Sequence, residues 1–379
     1  MPGPEKAGRF DIADIVRGHR ATLESEHSLS PQQKRVLTNI AQCRTALLGG
    51  HLDKCQNCGY ERPSYNSCRD RHCPKCQALA QEKWIAEQQQ RMLDVKHFHV
   101  VFTLPAELRP LAAFAKDAVY GALFGAASAT LLEFGERRLR ATIGATLVLH
   151  TWTRDLRFHP HVHAIVTGGG LSKDRKQWHS VRRAFLFPVK LMSRVFRGKM
   201  IDELKRAYQD GEFARFDEFS DPQAFSKLVG DLWKLPWVVY AKPTFSKGEY
   251  VLKYLGRYTH RVGIANSRLL DVTDDYVHFR TKEDGTARVS PVAFLWRFVQ
   301  HVLPDGFHKI RHYGLNASPP KRDLARAILK IPVVANKPQS WRERLAKLTG
   351  RDVSCCPVCS GALIALPLSQ ARAPPVVTP

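Results

Sequence analysis

Residues 147–167, LVLHTWTRDLRFHPHVHAIVT, restrict the fold more than any other stretch of the chain. Four histidines fall within it, and His159, His161 and His163 alternate. Val162, Ile165, Val166 and Thr167 mark the run as a strand, and side chains two apart on a strand share a face. His161 and His163 therefore project together, about 7 Å apart along the backbone. Thr146–Leu149 is a second β-rich run, and Thr153–Arg157 can turn the chain, so the two runs are expected to pair as a hairpin. In that pairing His150 lies near the level of His161 and His163 and is the candidate third nitrogen. Imidazole is the commonest metal-binding side chain, which makes the trio a candidate metal site. The plainer alternative is a basic surface strand decorated with histidines. Pro160 fixes the backbone between His159 and His161, which suits His159 to orienting the loop.

Charge says what such a site would face. The 379 residues carry 58 Lys and Arg against 35 Asp and Glu, a net charge of +23. A polyanion is the expected partner, DNA before a membrane surface. The longest uncharged apolar run, Ala118–Leu132, is too short to span a bilayer. The opening MPGPEKAGRFDIADI lacks the apolar core of a secretion signal, so the expected location is the cytoplasm, at the nucleoid. No G-x-x-x-x-G-K-[ST] occurs, so no nucleotide cofactor is expected.

Disulfides are disfavoured in the cytosol, and the cysteines need another role. Cys55-x-x-Cys58 and Cys73-x-x-Cys76 are separated by fourteen residues, a spacing that closes around tetrahedral zinc. The expected structural zinc set is Cys55, Cys58, Cys73 and Cys76. Cys68 and His72 are spare ligands in the same block. Cys356-Pro-Val-Cys359 is half a knuckle whose remaining ligands would come from elsewhere.

Around these motifs the chain reads as mixed α and β. Ser30-Pro31-Gln32-Gln33 is a helix start. A helix follows the cysteines over 77–96, a strand covers His97–Pro105, and residues 106–140 are helical. Gly168-Gly169-Gly170 reads as a turn after the histidine strand. A strand is expected at 184–188, a basic helix over 189–210 and a strand at Trp237–Tyr240. Short strands are expected at Arg268–Asp271, Tyr276–Thr281 and Ala287–Val289, then a helix over Pro291–Val302 and a strand over Lys309–Gly314.

Residues 246–262, SKGEYVLKYLGRYTHRV, form the second chemical stretch. Ser246 and Glu249 make a capping-box pattern, and the helix they open would align Tyr250, Tyr254 and Tyr258. Lys253, Arg257 and Arg261 form an adjacent cationic row suited to DNA phosphates. Tyrosines four apart are also common core packing. Beside a histidine site and a basic surface they are candidate nucleophiles.

The order of a cysteine block, HTW-x-x-x-L-x-x-HPHVH, YLGRYTHR and LPDGFHKIRHYG resembles the HUH-type transposases of the insertion sequence 91 family, the two-tyrosine rolling-circle transposases. The likeness runs from about residue 30 to residue 360. It implies an α+β fold: an HUH endonuclease core, a ferredoxin-like antiparallel sheet with packed helices, preceded by a helical zinc-binding domain. The expected division is 1–95 for the helical zinc-binding and DNA-binding domain and 96–316 for the endonuclease. A small basic region follows over 317–364, then a disordered tail over 365–379. The resemblance implies His161 and His163 as the HUH pair, holding Mg²⁺ or Mn²⁺. It implies Tyr254 and Tyr258 as the tyrosine pair, with Tyr250 and Tyr254 the alternative. The implied activity is nicking and rejoining of single-stranded or hairpin DNA at element ends through a 5′-phosphotyrosine. A replication initiator or relaxase with the same chemistry is one rival. A zinc DNA-binding protein that cleaves nothing is another, and a water-using nuclease would need more carboxylates than Asp155 offers.

Overall fold

The computed structural model describes residues 10–181, 186–219, 221–243, 263–332, 339–350 and 352–368. Two helices open it, α1 (Ile12–Glu26) and α2 (Pro31–Gln42). The expected capping box opens α2: Ser30 accepts from the Gln33 N–H while the Gln33 side chain accepts from the Ser30 N–H. The hairpin β1 (Gly50–Cys55) and β2 (Glu61–Tyr65) follows, and then α3 (Gln77–Arg91).

The next elements build the main layer. They are β3 (His97–Thr103), α4 (Arg109–Phe114), α5 (Lys116–Leu139), β4 (Ala141–Trp152), β5 (Phe158–Ser172) and β6 (Trp178–Ser180). Helices α6 (Val189–Gln209) and α7 (Pro222–Lys234) lead to β7 (Val239–Pro243). A small meander, β8 (Leu269–Val272), β9 (Val277–Arg280) and β10 (Thr286–Val289), precedes α8 (Pro291–Gln300) and β11 (Ile310–Gly314). Then come α9 (Pro319–Leu329), α10 (Trp341–Thr349) and β12 (Leu363–Pro367).

The central sheet is antiparallel in the order β11-β4-β5-β3-β7, with β6 paired to the far end of β5. Period-two alternation assigns its faces. Phe98, Val100 and Phe102 of β3, Leu147 and Leu149 of β4, and Val162, Ala164 and Val166 of β5 point one way into a core with α5 and α6. Each large side chain buried there is worth roughly 2 kcal/mol, so a one-residue slip of register is strongly disfavoured. The same alternation turns His99, His150, His161 and His163 to the opposite face. Trp84 and Ile85 of α3 cover part of that face, against Val148 and Ile165. Among the described residues α5 is long and apolar enough to cross a membrane, and 67% of its apolar window is buried as a core helix.

A second core joins distant parts of the chain. Ile12, Ile15, Val36, Leu37 and Ile40 pack with Phe279, Phe294, Leu295 and Phe298. Strand β12 pairs with β1, so the C-terminal stretch extends the N-terminal hairpin. These contacts run across the boundaries expected at residues 95 and 316.

Three local expectations are corrected. Gly168–Gly170 do not turn; they lie inside β5, where Gly169 pairs with β6 and Gly170 with both β4 and β6. A β-carbon would lie 2.8 Å from the Lys96 carbonyl oxygen at Gly168, 2.6 Å from the Trp178 indole nitrogen at Gly169, and 2.5 Å from the Thr142 carbonyl oxygen at Gly170. Glycine is there for close approach of neighbouring strands, not for a bend. Residues 365–367, expected in a disordered tail, belong to β12; residues 369–379 lie outside the described residues. No strand occupies 186–188, and β6 forms earlier instead.

Candidate active site and zinc clusters

The β4–β5 register sets His150 opposite His161 and Val148 opposite His163. One nitrogen from each of His150, His161 and His163 lies within 4.8 Å of the others. His161 Nδ1 is 2.6 Å from the His159 carbonyl oxygen. A carbonyl only accepts, so the proton sits on Nδ1 and the lone pair is left on Nε2. His159 itself is held by Arg109, whose guanidinium donates to the ring Nδ1 at 3.1 Å. Burial pushes His161 down to about 4, and burial followed by the neighbouring His161 and His99 pushes His163 well below the ordinary histidine range. Both are therefore neutral near pH 7, the state in which imidazole binds metal. The rings line a cleft of about 470 Å³ with Trp152, Arg154, Gly263 and Arg268.

Sequence reasoning overlooked His99, whose Nε2 lies 2.7 Å from His163 Nδ1. The signal available was the alternation His97-Phe98-His99 on a strand, but which strand it pairs with is not a local property. The tyrosine stretch, with Tyr250, Tyr254, Tyr258, Lys253, Arg257 and Arg261, lies outside the described residues.

The cysteines form two clusters: the expected set of four splits, and the half knuckle of Cys356 and Cys359 takes its remaining ligands from it. Cys73 and Cys76 join Cys43 and Cys68, whereas Cys55 and Cys58 join Cys356 and Cys359. Each set of four sulfurs lies within 4.8 Å. Neighbouring sulfurs are 3.4 Å apart for Cys43 and Cys76, 3.7 Å for Cys68 and Cys76, 3.5 Å for Cys55 and Cys359, and 3.6 Å for Cys58 and Cys356. A disulfide would be about 2.05 Å. Four sulfurs around zinc at about 2.3 Å sit about 3.8 Å apart, so the spacing fits tetrahedral zinc. The single set Cys55, Cys58, Cys73 and Cys76 is thus corrected. Cys55 ends β1, whose free edge takes β12 and so draws in Cys356 and Cys359. Cys76 caps the start of α3, and its cluster includes Cys43, which caps the end of α2.

His72 is not in either cluster. Its Nδ1 is 3.0 Å from Asp70, and its Nε2 accepts from the Leu303 N–H at 3.1 Å. It docks the first cluster onto the loop after α8. Arg71 does the same, donating to the Phe307 and Pro304 carbonyls at 2.6 and 2.5 Å.

Comparison with known proteins gives this architecture a family. Residues 144–323 match the model described as "Putative transposase", and residues 15–104 match the insertion sequence 91 "Transposase zinc-binding domain". "Putative transposase y4qJ" of Sinorhizobium fredii is 42% identical over 368 residues, covering 92% of this chain and 92% of that protein. The "Transposase for insertion sequence element IS801" of Pseudomonas savastanoi pv. phaseolicola is 30% identical over 313 residues, covering 79% of this chain and 73% of that one. A solved structure, "Conjugative Relaxase TrwC in complex with OriT Dna. Metal-free structure", matches at 15% identity and a TM-score of 0.23, over 42% of this chain and 71% of that chain. That score carries no inference about the site. A zinc-binding module in front of a transposase sheet domain defines a DNA transposase. The chain belongs to the insertion sequence 91 family of transposases.

Proposed function

We propose that the chain nicks and rejoins single-stranded DNA at element ends, using tyrosine as nucleophile beside a divalent ion held by His150, His161 and His163. The observation that carries this reading is the convergence of three imidazoles in one cleft of an insertion sequence 91 family transposase. The donor set fits: three nitrogens from one hairpin leave the other side of an ion open. Imidazole suits transition-metal ions better than Mg²⁺, so Mn²⁺ is the better fit of the two. Such an ion, when bound, would draw charge from a phosphate oxygen.

The chain's own residues do the rest. Burial keeps His161 and His163 neutral and ready to bind. Arg154 and Arg268 line the cleft and offer positive charge to a phosphate. Gly263, five residues after Tyr258, lines it too. Tyr254 and Tyr258 are the proposed nucleophiles, with Tyr250 and Tyr254 the alternative pair. Lys253, Arg257 and Arg261 are the proposed DNA contacts.

A phenolate oxygen bonds to phosphorus, the bond from phosphorus to the 3′ oxygen breaks, and that oxygen leaves as a hydroxyl after taking up a proton. The 5′-phosphotyrosine keeps the bond energy, so rejoining needs no nucleoside triphosphate. The work would take place in the cytoplasm, on nucleoid DNA. A water-using nuclease is less favoured: Asp155, the carboxylate of the hairpin, is engaged by the Thr153 hydroxyl and by Arg157 at 2.6 Å.

The test is labelled single-stranded DNA carrying an element end, incubated with Mn²⁺ or Mg²⁺ and run on denaturing gels. A protein–DNA adduct that disappears in Tyr254→Phe with Tyr258→Phe, and in His161→Ala, is the expected result. Cleavage without an adduct would establish hydrolysis instead. Binding without cleavage would leave a zinc-dependent DNA-binding protein.

A further inference from the structure

We propose that His99 is a positioning residue that holds the proton of His163 on Nδ1 and so leaves the Nε2 lone pair of His163 for the metal. This rests on the metal-site reading above and adds a residue from a strand outside the histidine hairpin.

Strand β3 pairs with β5 so that Val101 faces His163 and His99 faces Ile165. His99 and His163 are therefore diagonal neighbours on the site face of the sheet. Their nitrogens are 2.7 Å apart, the rings are parallel within 1°, and the centroids are 5.0 Å apart. A ring nitrogen sits about 1.2 Å from its own centroid, so two coplanar rings meeting edge to edge through such a bond place their centroids about 5 Å apart. The contact is thus an in-plane N–H···N hydrogen bond along the lone-pair direction, not a face-to-face stack.

One of the two nitrogens must donate and the other accept. A His163 that binds metal through Nε2 carries its proton on Nδ1, which makes His99 Nε2 the acceptor. His161 is set in the same sense by a different device, the His159 carbonyl oxygen at 2.6 Å. Both histidines of the alternating pair then have Nδ1 engaged, one by the His159 carbonyl and the other by His99. His99 does not join the three converging imidazoles; its Nε2 is taken by His163.

The test is calorimetric titration of the zinc-loaded full chain with Mn²⁺, with Mn²⁺ paramagnetic resonance on the same samples. The variants are His161→Ala, His99→Ala and His99→Gln, each checked for fold by circular dichroism. Glutamine keeps a carbonyl oxygen that can accept the His163 proton, and alanine does not. The expected result is tight binding by the parent chain and loss in His161→Ala. Affinity should fall roughly 10- to 100-fold in His99→Ala and stay within a few-fold of the parent in His99→Gln. Should His99→Ala not fold, His99→Leu, which also lacks an acceptor, takes its place: a loss of affinity beside a parent-like His99→Gln supports the proposal, and equal affinity in both overturns it. Equal affinity in all His99 variants, with His161→Ala still dead, would overturn the role of His99 and leave the metal site standing. Failure of the parent chain to bind, or binding unchanged by His161→Ala, would bring down both readings.

Discussion

Cys58 and Cys356 stand 298 residues apart in sequence, yet their sulfurs approach to 3.6 Å. The cluster they share with Cys55 and Cys359 ties the first hairpin to the last strand of the described chain. Purified protein should hold two zinc ions, one for each cysteine cluster. Replacing Cys356 and Cys359 together by Ser should remove one and leave the cluster of Cys43, Cys68, Cys73 and Cys76 loaded. The same change should make the C-terminal segment sensitive to limited proteolysis, because β12 loses the anchor at its start. Zinc measured by mass spectrometry checks this. A stoichiometry unchanged by the double substitution would mean that Cys55 and Cys58 complete their site without it.

That cluster also marks where sequence reasoning stops. Paired C-x-x-C motifs announce zinc because the spacing itself makes the knuckle. Which knuckle meets which depends on the pairing of β1 with β12, a contact with no local signature. The histidine hairpin was legible for the opposite reason: strand alternation and a short turn are local, and they put His150 beside His161 as expected. His99 was not legible, since its bond to His163 depends on the register between separate strands. The same holds for Cys43, a lone cysteine at a helix end until the fold brings Cys76 to 3.4 Å.

The glycine run in β5 can be tested directly. Gly170 faces the backbone of β4 so closely that a β-carbon would meet the Thr142 carbonyl at 2.5 Å. Backbone cannot swing aside as a flexible side chain can. Gly170→Ala should therefore destabilise the chain by about 2 kcal/mol or more, read as a lower midpoint in urea unfolding. A Gly170→Ala variant as stable as the parent would overturn this reading; at Gly230, inside α7, where a built β-carbon meets nothing outside its own helix, alanine should instead stabilise the chain by up to about 1 kcal/mol.

Arg71 joins the first zinc knuckle to the sheet domain through two backbone carbonyls, those of Pro304 and Phe307. Arg35 adds a contact to Asp305 in the same loop at 2.5 and 2.7 Å, but from an exposed position where ion pairs contribute little. Arg71→Ala removes both bonds and leaves the Phe307 carbonyl without this donor, while the Pro304 carbonyl still accepts from the Phe307 N–H at 3.2 Å, a loss of about 2 kcal/mol. Arg35→Ala should cost less than Arg71→Ala, because solvent screens an exposed ion pair. Thermal melts of the two variants rank them, and a larger effect for Arg35 would show that the knuckle is held by charge and not by these carbonyl contacts.

His301 offers a pH test in the layer behind the candidate metal site, against Thr151 and Trp152. It is 1% exposed; the Thr151 hydroxyl lies 3.2 Å from Nδ1, and Nε2 donates to the Leu156 carbonyl at 3.1 Å. Both nitrogens are satisfied in the neutral ring. Burial pushes it down to about 3, the Leu156 carbonyl opposes this, and nearby Lys116 adds to it. The unfolded chain takes up this proton near pH 6.5, while the folded chain does not until about pH 3. The contribution of His301 is thus fully present above pH 6.5 and is lost as the pH falls from there toward 3. His97 and His312, each pushed down to about 4 chiefly by burial, act in the same direction over the upper part of that window. His301→Gln removes one such group. Its stability at pH 7 should be lower than that of the parent. Between pH 6 and pH 4 its stability should fall less steeply, by about 1.4 kcal/mol per pH unit. Urea unfolding across that range measures the slope. Equal slopes in parent and variant would mean that His301 takes up its proton in the folded chain as readily as in the unfolded one.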